Sequence, residues 1–508
     1  MEPPHLGQYK PLFTSQSVQR DWESALHDFL IQHPTLRFIR LQWQDHSGIL
    51  RSRMVVPKQL LRMTAAQKPI HAPPIAFHCV ADNTLVSGLD PSGNHFLVPD
   101  WSSLRMLPAC PQTAMVMCGV LASTPAQPIP NHDLCPRRAL ASIVGRAKEV
   151  FSLDFLVGFE VEFELMQRTS ELGDDGDGHA LVPATNGLGR YAVDGLRHPH
   201  FNLVESTIHQ LLDAGVDIQA VQTEGRRGQY ELSLAPRTPL EAVDELILVH
   251  DTLKTTMARH GLIATMSPKP VAGRRQATGQ HTHISISRPE VQDQFLAGIL
   301  HRLPALCAVC LPYDLSYERV QPYLGGDQVA WGSHNREVPV RKIRPGHWEI
   351  RCVDATANMY LMLAATLAAG LLGVSHQMPL SWPDTAITQT LCRDDHSNGT
   401  NGANGTNGTN GTNGTNGTNG TNGTNGTNGT NGTNGTNGTN GSHHAPKAVA
   451  LPKDLSSALD LLEKEAGELG RMIDSSILDH FLRIKRFEVA CLAQKSERDV
   501  RRLLAELF

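Results

Sequence analysis

The residues with the most chemical content are glutamates. In "GFEVEFELM", residues 158–166, Glu160, Glu162 and Glu164 alternate with Phe159, Val161, Phe163 and Leu165. Successive side chains of an extended chain point to opposite faces, so this strand is oily on one face and carries three carboxylates on the other. Like charges in a row repel unless water screens them or a cation holds them. A solvated outer face and a metal site both satisfy that condition, and the second needs further ligands.

Three other clusters offer them. In "QTEGRRGQYELSLAP", Glu224 ends one extended run and Glu231 lies in the next, with Gly225 and Gly228 between them. A hairpin there turns both carboxylates to one side, as two exposed strand residues or as two ligands. In "GQHTHISIS", His281, His283, Ser285 and Ser287 share one strand face. Two histidines two apart project both imidazoles the same way, a common ligand spacing. In "NREVPVRKIRPGHWEIRCVDATANMYL", Arg336, Arg341, Arg344 and Arg351 surround Glu349. Guanidinium groups at that density suit phosphate or carboxylate, or form a surface ion-pair network.

Taken together the clusters favour chemistry. Glutamates with one or two histidines are hard ligands, suited to magnesium or manganese more than zinc. Arginines beside them point to a phosphorylated ligand, and the combination is the apparatus of phosphoryl transfer.

The elements that must hold these residues are partly readable. The chain has 508 residues, 40% hydrophobic and 19% charged, with a net charge of −5, enough for two or three globular domains. The small charge and the lack of a basic run argue against a nucleic-acid partner. The start, "MEPPHLGQYK", has no apolar core of a secretory signal, and residues 359–374 are too short and too rich in Ala and Gly for a membrane span. Those residues read as a buried helix. The nine cysteines are scattered, Cys307 and Cys310 read as core, and a reducing, cytoplasmic location is expected. A helix is expected over 17–31, with Val18, Trp22, Leu26 and Phe29 on one face, then a hairpin in which Ile39, Leu41 and Trp43 alternate with polar residues and 45–48 turn. Residues 57–130 read as irregular and proline-rich with short strands such as "HFLVPD", "CPRRALASIVGRAKEV" as a helix, and strands and helices alternate beyond it to about 374. Residues 397–442, almost pure Asn-Gly-Thr, read as a disordered insertion without glycans. Leu455, Leu459 and Leu462 mark one later helix, and Ile473, Ile477, Phe481 and Ile484 another.

The motif order E-x-E, E-x6-E, H-x-H-x-S, NR-x4-R and E-x-R-x-x-D-x-x-A-N-x-Y-L, with "SPKPVAGRRQATGQHTHIS", resembles the glutamine synthetase family, class I branch, and within it the divergent fungal glutamine-synthetase-like proteins. The resemblance implies an α+β fold: an N-terminal β-grasp domain, 1–130, then a catalytic domain, 131–508, with a curved antiparallel sheet flanked by helices. It implies ring-shaped homo-oligomers with shared active sites, two or more Mg2+ or Mn2+ ions per site, and ATP as co-substrate. By match to the family motifs, Glu162, Glu224 and Glu231 hold one cation and Glu160, His281 and Glu349 the second. Glu164 has no such role and reads as structural. His283 and Ser285 face the nucleotide, Arg336 and Arg341 its phosphates, and Arg319 and Arg351 a glutamate-like carboxylate substrate.

The pattern breaks in three places. The family's Asn-Gly-Ser-Gly stretch is here Gln276, Ala277, Thr278 and Gly279. The flap glutamate that helps deprotonate ammonium is missing from "RVQPYLGGDQ", 319–328, where Gly325 and Gly326 read as opened space and Asp327 is the nearest carboxylate and candidate base. The ammonium-binding aspartate has only Asp82 as a candidate. The expected activity is therefore ATP-dependent ligation of a carboxylate to an organic amine. Glutamine synthesis from ammonia and an inactive scaffold are the alternatives.

Overall fold

A computed structural model describes residues 16–66, 68–89, 91, 95–122, 131–172, 179–386 and 449–508. The Asn-Gly-Thr insertion expected at 397–442 lies outside the described residues. The expected first helix spans Gln16–Gln32. The hairpin follows as β1 (Phe38–Gln44) and β2 (Leu50–Val55), with Ile39, Leu41 and Trp43 buried as their alternation requires. Its turn is fixed by Asp45, whose Oδ1 accepts from the amides of Ser47 at 3.0 Å and Ile49 at 2.9 Å, and by Gly48 at φ +82°.

The stretch 57–130 is more regular than its prolines suggest. Pro57 opens a helix, Pro57–Ala65, at the position where a missing N–H costs nothing. Strands β3 (Ile70–Ala72), β4 (His95–Pro99), β5 (Arg105–Leu107) and β6 (Cys110–Leu121) complete a sheet of order β2-β1-β6-β4-β3, with β5 on β6. The near-continuous apolar run of β6 hides its strand period because both faces are buried. This sheet has its own core, built on Leu26, Ile39, Leu41, Val116 and Val120.

A second sheet carries the chemistry. It comprises β7 (Phe155–Leu172), β8 (His179–Pro183), β9 (Ile218–Thr223), β10 (Gln229–Leu234), β11 (Ile263–Thr265), β12 (Thr282–Ile286), β13 (Trp331–Ser333), β14 (Val340–Arg344) and β15 (His347–Ile350). The order is β13-β14-β15-β12-β7-β10-β9, with β8 and β11 also on β7, and every pairing except β13–β14 is antiparallel. The oily side chains of β7 enter the main core with helices Pro136–Phe151, Pro239–Arg259, Gln292–Cys310 and Met359–Ser375. The last of these is buried from Met359 to Gly373, and no helix of the described residues is long and apolar enough to cross a membrane. Cys307 and Cys310 are buried in the helix before it, as core residues.

Three helices, Leu455–Ile473, Ile477–Leu492 and Glu497–Leu507, close the chain. Ile473 ends the first instead of opening the second, because Asp474 takes a left-handed conformation at φ 60° and breaks the run. The two sheets are tied by polar contacts at the β1–β2 turn. Asn358 Nδ2 donates to the Asp45 carbonyl at 2.8 Å and the Tyr313 hydroxyl to the Ser47 carbonyl at 2.8 Å. Beside them Lys485 and Glu488 form a fully buried ion pair, and Glu488 Oε1 also accepts from the Ala81 amide at 2.7 Å. Removing one partner of such a pair leaves a buried charge uncompensated. Lys485→Met is expected to destabilise the protein by about 3–5 kcal/mol in denaturant unfolding, with much of the loss recovered by adding Glu488→Gln. An unchanged midpoint in the single variant would show that the pair does not hold this junction.

Candidate active site

The register of the second sheet aligns the sequence motifs into rows. Glu231 on β10 lies directly opposite Glu162 on β7, and Gln222 on β9 lies opposite Glu231. Directly opposed residues share a face, so these three side chains stand together. Gln222 Nε2 donates to Glu224 at 3.0 Å and to Glu231 at 2.9 Å, clipping the two carboxylates side by side. In a second row, Arg341 on β14 opposes Glu349 on β15, which opposes His283 on β12, which opposes Gly158 on β7. Glu160, two residues along from Gly158, projects to the same face.

Histidines and arginines fill the gap between the rows. His281 Nδ1 lies 2.9 Å from Glu160 Oε2, 3.4 Å from Glu349 and 3.7 Å from Glu162. His283 Nε2 lies 3.1 Å from Glu160 Oε1, and its Nδ1 lies 3.1 Å from His347 Nε2. Among the described residues, Glu160, His283 and Glu349 have donor atoms that all lie within 4.8 Å of one another. The sequence pairs Glu160 and Glu349 with His281, and the structure brings both histidines to them. Glu349 is fully buried and held by Arg341 at 2.8 Å and by Arg351.

The electrostatics divide this group. Burial opposes ionisation of Glu160, but hydrogen bonds from His281 and His283 hold its carboxyl well below the usual range. Glu349 is also held low, against its burial, by His281 and Arg351. Glu231 goes the other way: burial, then Glu160, Glu162, Glu224 and Glu349, push it up to about 9. Burial and Glu162 raise Glu224 as well. The Glu162–Glu224–Glu231 group therefore does not hold its full negative charge unaided: burial and mutual repulsion favour the protonated form of Glu231. Its oxygen donors fit a hard divalent cation.

Gly279 joins the two rows. Its amide donates to Glu162 Oε2 at 3.0 Å. A Cβ there would stand 2.6 Å from Arg319 Nη2 and 3.1 Å from both Glu162 Oε1 and His281 Nε2. The rest of the divergent loop is anchored too, with Gln229 donating to the Ala277 carbonyl at 3.1 Å and Arg226 to Gln276 at 3.2 Å. Arg319 is buried and donates to the carbonyls of Val353 and Arg351. The Nε atoms of Arg319, Arg341 and Arg351 are buried without a hydrogen-bond partner. Buried donors in that state are exceptional, and guanidinium groups suit carboxylate or phosphate.

Other expected residues stand apart. Ser285 lies on β12 opposite His347, and Arg336 is exposed. Glu164 is paired with Arg274 at 2.8 Å. Asp82 is paired with Lys495 at 3.3 Å. Asp327 is half-buried; its carbonyl accepts from Leu451, and among the described residues no hydrogen bond or ion pair links its carboxylate to the cluster. The flap glycines do not open space. A Cβ on Gly325 would meet the Arg319 carbonyl oxygen at 3.0 Å, and one on Gly326, at φ +77°, would meet Pro339 Cδ at 2.6 Å. They are there because the flap backbone packs tightly on its neighbours. Sequence reading missed Gln222, Arg274, His347 and Gln280, whose Nε2 donates to the Glu160 carbonyl at 2.8 Å. Only Gln222 was within reach, through the register of the Glu224–Glu231 hairpin.

Comparison with known proteins agrees with this geometry. Residues 133–386 match the model of the glutamine synthetase catalytic domain. The chain belongs to the glutamine synthetase family. A second model, the collagen triple helix repeat, matches 395–448, where glycine recurs at every third position of the Asn-Gly-Thr run. The chain is 31% identical to the protein fluG of Emericella nidulans over 71% of this chain, which spans 41% of that relative's length. It is 31% identical to the gamma-glutamylpolyamine synthetase GlnA3 of Streptomyces coelicolor, over 67% of this chain and 76% of that protein. A solved GmaS/ADP complex superimposes with a TM-score of 0.69 at 24% identity, covering 94% of this chain and 98% of the other, and shares its α+β fold.

Two variants test the site. Gly279→Ala is expected to lower turnover by about 10²-fold, because it pushes apart groups that must stay within 1 Å of their places. Glu231→Ala is expected to leave the metal-free protein at least as stable as before at neutral pH, because its raised carboxyl costs stability there, and to reduce the rise in Tm caused by Mn2+, since a ligand that binds only the native state stabilises it by mass action. An equal Mn2+ shift in wild type and Glu231→Ala would remove Glu231 from the metal site.

Proposed function

We propose that the protein is an ATP-dependent carboxylate–amine ligase that forms a γ-glutamyl or related amide with an organic amine. The observation that carries this reading is the convergence of the mutually repelling Glu162, Glu224 and Glu231 with three arginines whose Nε atoms are buried, Arg319, Arg341 and Arg351, around one sheet. In this reading Glu162, Glu224 and Glu231 hold one Mg2+ or Mn2+. Glu160 and Glu349 hold a second with His281, and His283 stands close enough to share it. The cations supply charge neutralisation for the phosphates of ATP.

The chain's own residues do the rest. Arg336 and Arg341 take the phosphate side, where Arg336, being exposed, reaches toward incoming nucleotide. Ser285 and His283 border the same side. Arg319 and Arg351 hold the substrate carboxylates. A carboxylate is a poor acyl donor, so its oxygen first takes the γ-phosphoryl of ATP, releasing ADP. The amine nitrogen then attacks the acyl carbon, the C–O bond to phosphate breaks, and the amine gives up a proton. Fixed positive charge on the moving phosphoryl stabilises the first step. Asp327 is the flap carboxylate available to take that proton.

An organic amine is favoured over ammonia by the flap. With Gly325 in place of an acid, the site has less negative charge to draw in a small cation. An amine with a carbon skeleton gains about 0.8 kcal/mol for each methylene it buries. The polyamine specificity in the name of the Streptomyces coelicolor relative points the same way. Membership of the family supports assembly as a ring-shaped homo-oligomer, and a cytoplasmic location fits a consumer of ATP. The test is turnover of purified protein with ATP, Mg2+ and a glutamate-like acid across ammonia and alkyl, aryl and polyamines, read by product mass. Higher kcat/KM for an organic amine is expected, with Asp327→Asn slowing amide formation more than ATP binding. Ammonia as the best substrate would return the protein to glutamine synthesis; inertness of every amine while ATP binds would make it a scaffold.

A further inference from the structure

Strand β12 begins at Thr282, so His281 and Gln280 lie outside the β7–β12 ladder, beside Glu160. The Glu160 amide still donates to the His281 carbonyl at 3.0 Å. In an antiparallel pair the partner's amide returns the second bond. Here the return comes from a side chain: Gln280 Nε2 donates to the Glu160 carbonyl at 2.8 Å. A carbonyl only accepts, so the amide nitrogen of Gln280 must face Glu160 and its oxygen must face away. That oxygen meets His250 of the helix Pro239–Arg259, whose Nε2 lies 3.0 Å from Gln280 Oε1. The His250 ring therefore carries a proton on Nε2 and donates it. Gln280 is fully buried, and its backbone is engaged too. Its amide donates to the Val353 carbonyl at 3.1 Å, an acceptor that Arg319 shares, and its carbonyl accepts from the Thr282 hydroxyl at 3.0 Å.

We propose that His250 and Gln280 are positioning residues for the cation site of Glu160, Glu349 and His281: His250 aims the amide of Gln280, and Gln280 holds the backbone of Glu160 against the segment that carries His281. The inference rests on the two-cation ligase reading. His281 at 2.9 Å and His283 at 3.1 Å orient the Glu160 carboxylate, but only the Gln280 bridge fixes the carbonyl behind it. Groups that orient metal ligands from behind contribute ~10–100-fold to affinity.

A strut needs a fixed far end, and His250 has one. Within the next turn of its helix, Asp251 pairs with Arg40 of β1 at 3.1 Å, and Lys254 donates to the Leu507 carbonyl at 2.7 Å. The helix is thus tied to the N-terminal sheet and to the last helix at the level of His250. The bridge is also selective. Among the described residues, no hydrogen bond of the Gln280 or His250 side chain reaches Glu162, Glu224 or Glu231.

The test is Mn2+ binding to the full-length protein, with free ion followed by electron paramagnetic resonance. Gln280→Met keeps the volume of the side chain and removes both of its hydrogen bonds, so a role in packing alone predicts unchanged binding. Wild type is expected to bind two Mn2+ per chain. Gln280→Met is expected to weaken one of them by about 10–100-fold and to leave the other unchanged. Glu231→Ala is expected to weaken the other, and the double variant both. His250→Leu, which cannot donate to Gln280, is expected to behave like Gln280→Met, and His250→Gln, which can, like wild type. If Gln280→Met does not fold, the two His250 variants decide. Unchanged affinities in Gln280→Met and His250→Leu, or equal weakening of both sites, would overturn the inference and leave the ligase reading standing. A wild type that binds no Mn2+ would overturn both.

Discussion

Five glutamates stand within reach of one another on one face of one sheet, and their mutual repulsion is the condition that the surrounding structure answers. Two of them are offset inside the protein: Glu160 by His281 and His283, Glu349 by Arg341, Arg351 and His281. Glu162 has only the more distant His281, at 3.7 Å, and no ion pair reaches Glu224 or Glu231 among the described residues. Gln222 and the Gly279 amide supply hydrogen bonds to them but no charge. A folded state that keeps all three charges loses stability to burial and repulsion, which is why the proposed reading places a cation there.

That condition also explains the backbone around the site. The rows depend on register, because a slip of one residue along β7 would turn every carboxylate into the core and every aromatic outward. The long strand β7 is pinned by β10 on one side, β12 on the other, and β8 and β11 along its length. Gly279 is there because no side chain fits between Arg319, Glu162 and His281. Arg341 and Arg351 are partly matched by Glu349, and in the proposed reading the remaining positive charge meets a nucleotide triphosphate and an acidic substrate. Site and ligands are thus complementary in sign throughout.

Much of this was legible in the sequence because strand alternation is local. Glu160 and Glu162 share a face by parity alone, as do His281 and His283, and the glycines between Glu224 and Glu231 announce a hairpin. The family motifs supplied the pairing of these segments, which no local pattern contains. What escaped depends on register across strands: His347 beside His283, Gln222 between two glutamates, Arg274 on Glu164. The misreading of Gly325 and Gly326 has the same origin. A glycine in sequence signals either space or close approach, and only the positions of Arg319 and Pro339 decide for close approach. Likewise β6 was hidden because a strand buried on both faces has no alternation to read.

The central claim is that this charge arrangement moves the γ-phosphoryl of ATP onto a substrate carboxylate. The most direct test labels both oxygens of the substrate carboxylate with 18O and analyses the phosphate released during amide formation. The account predicts one 18O atom in each phosphate, because the C–O bond broken in the second step leaves a substrate oxygen on phosphorus. Phosphate without 18O, formed at the rate of the amide, would mean that ATP was cleaved by water or attacked elsewhere, and would contradict it.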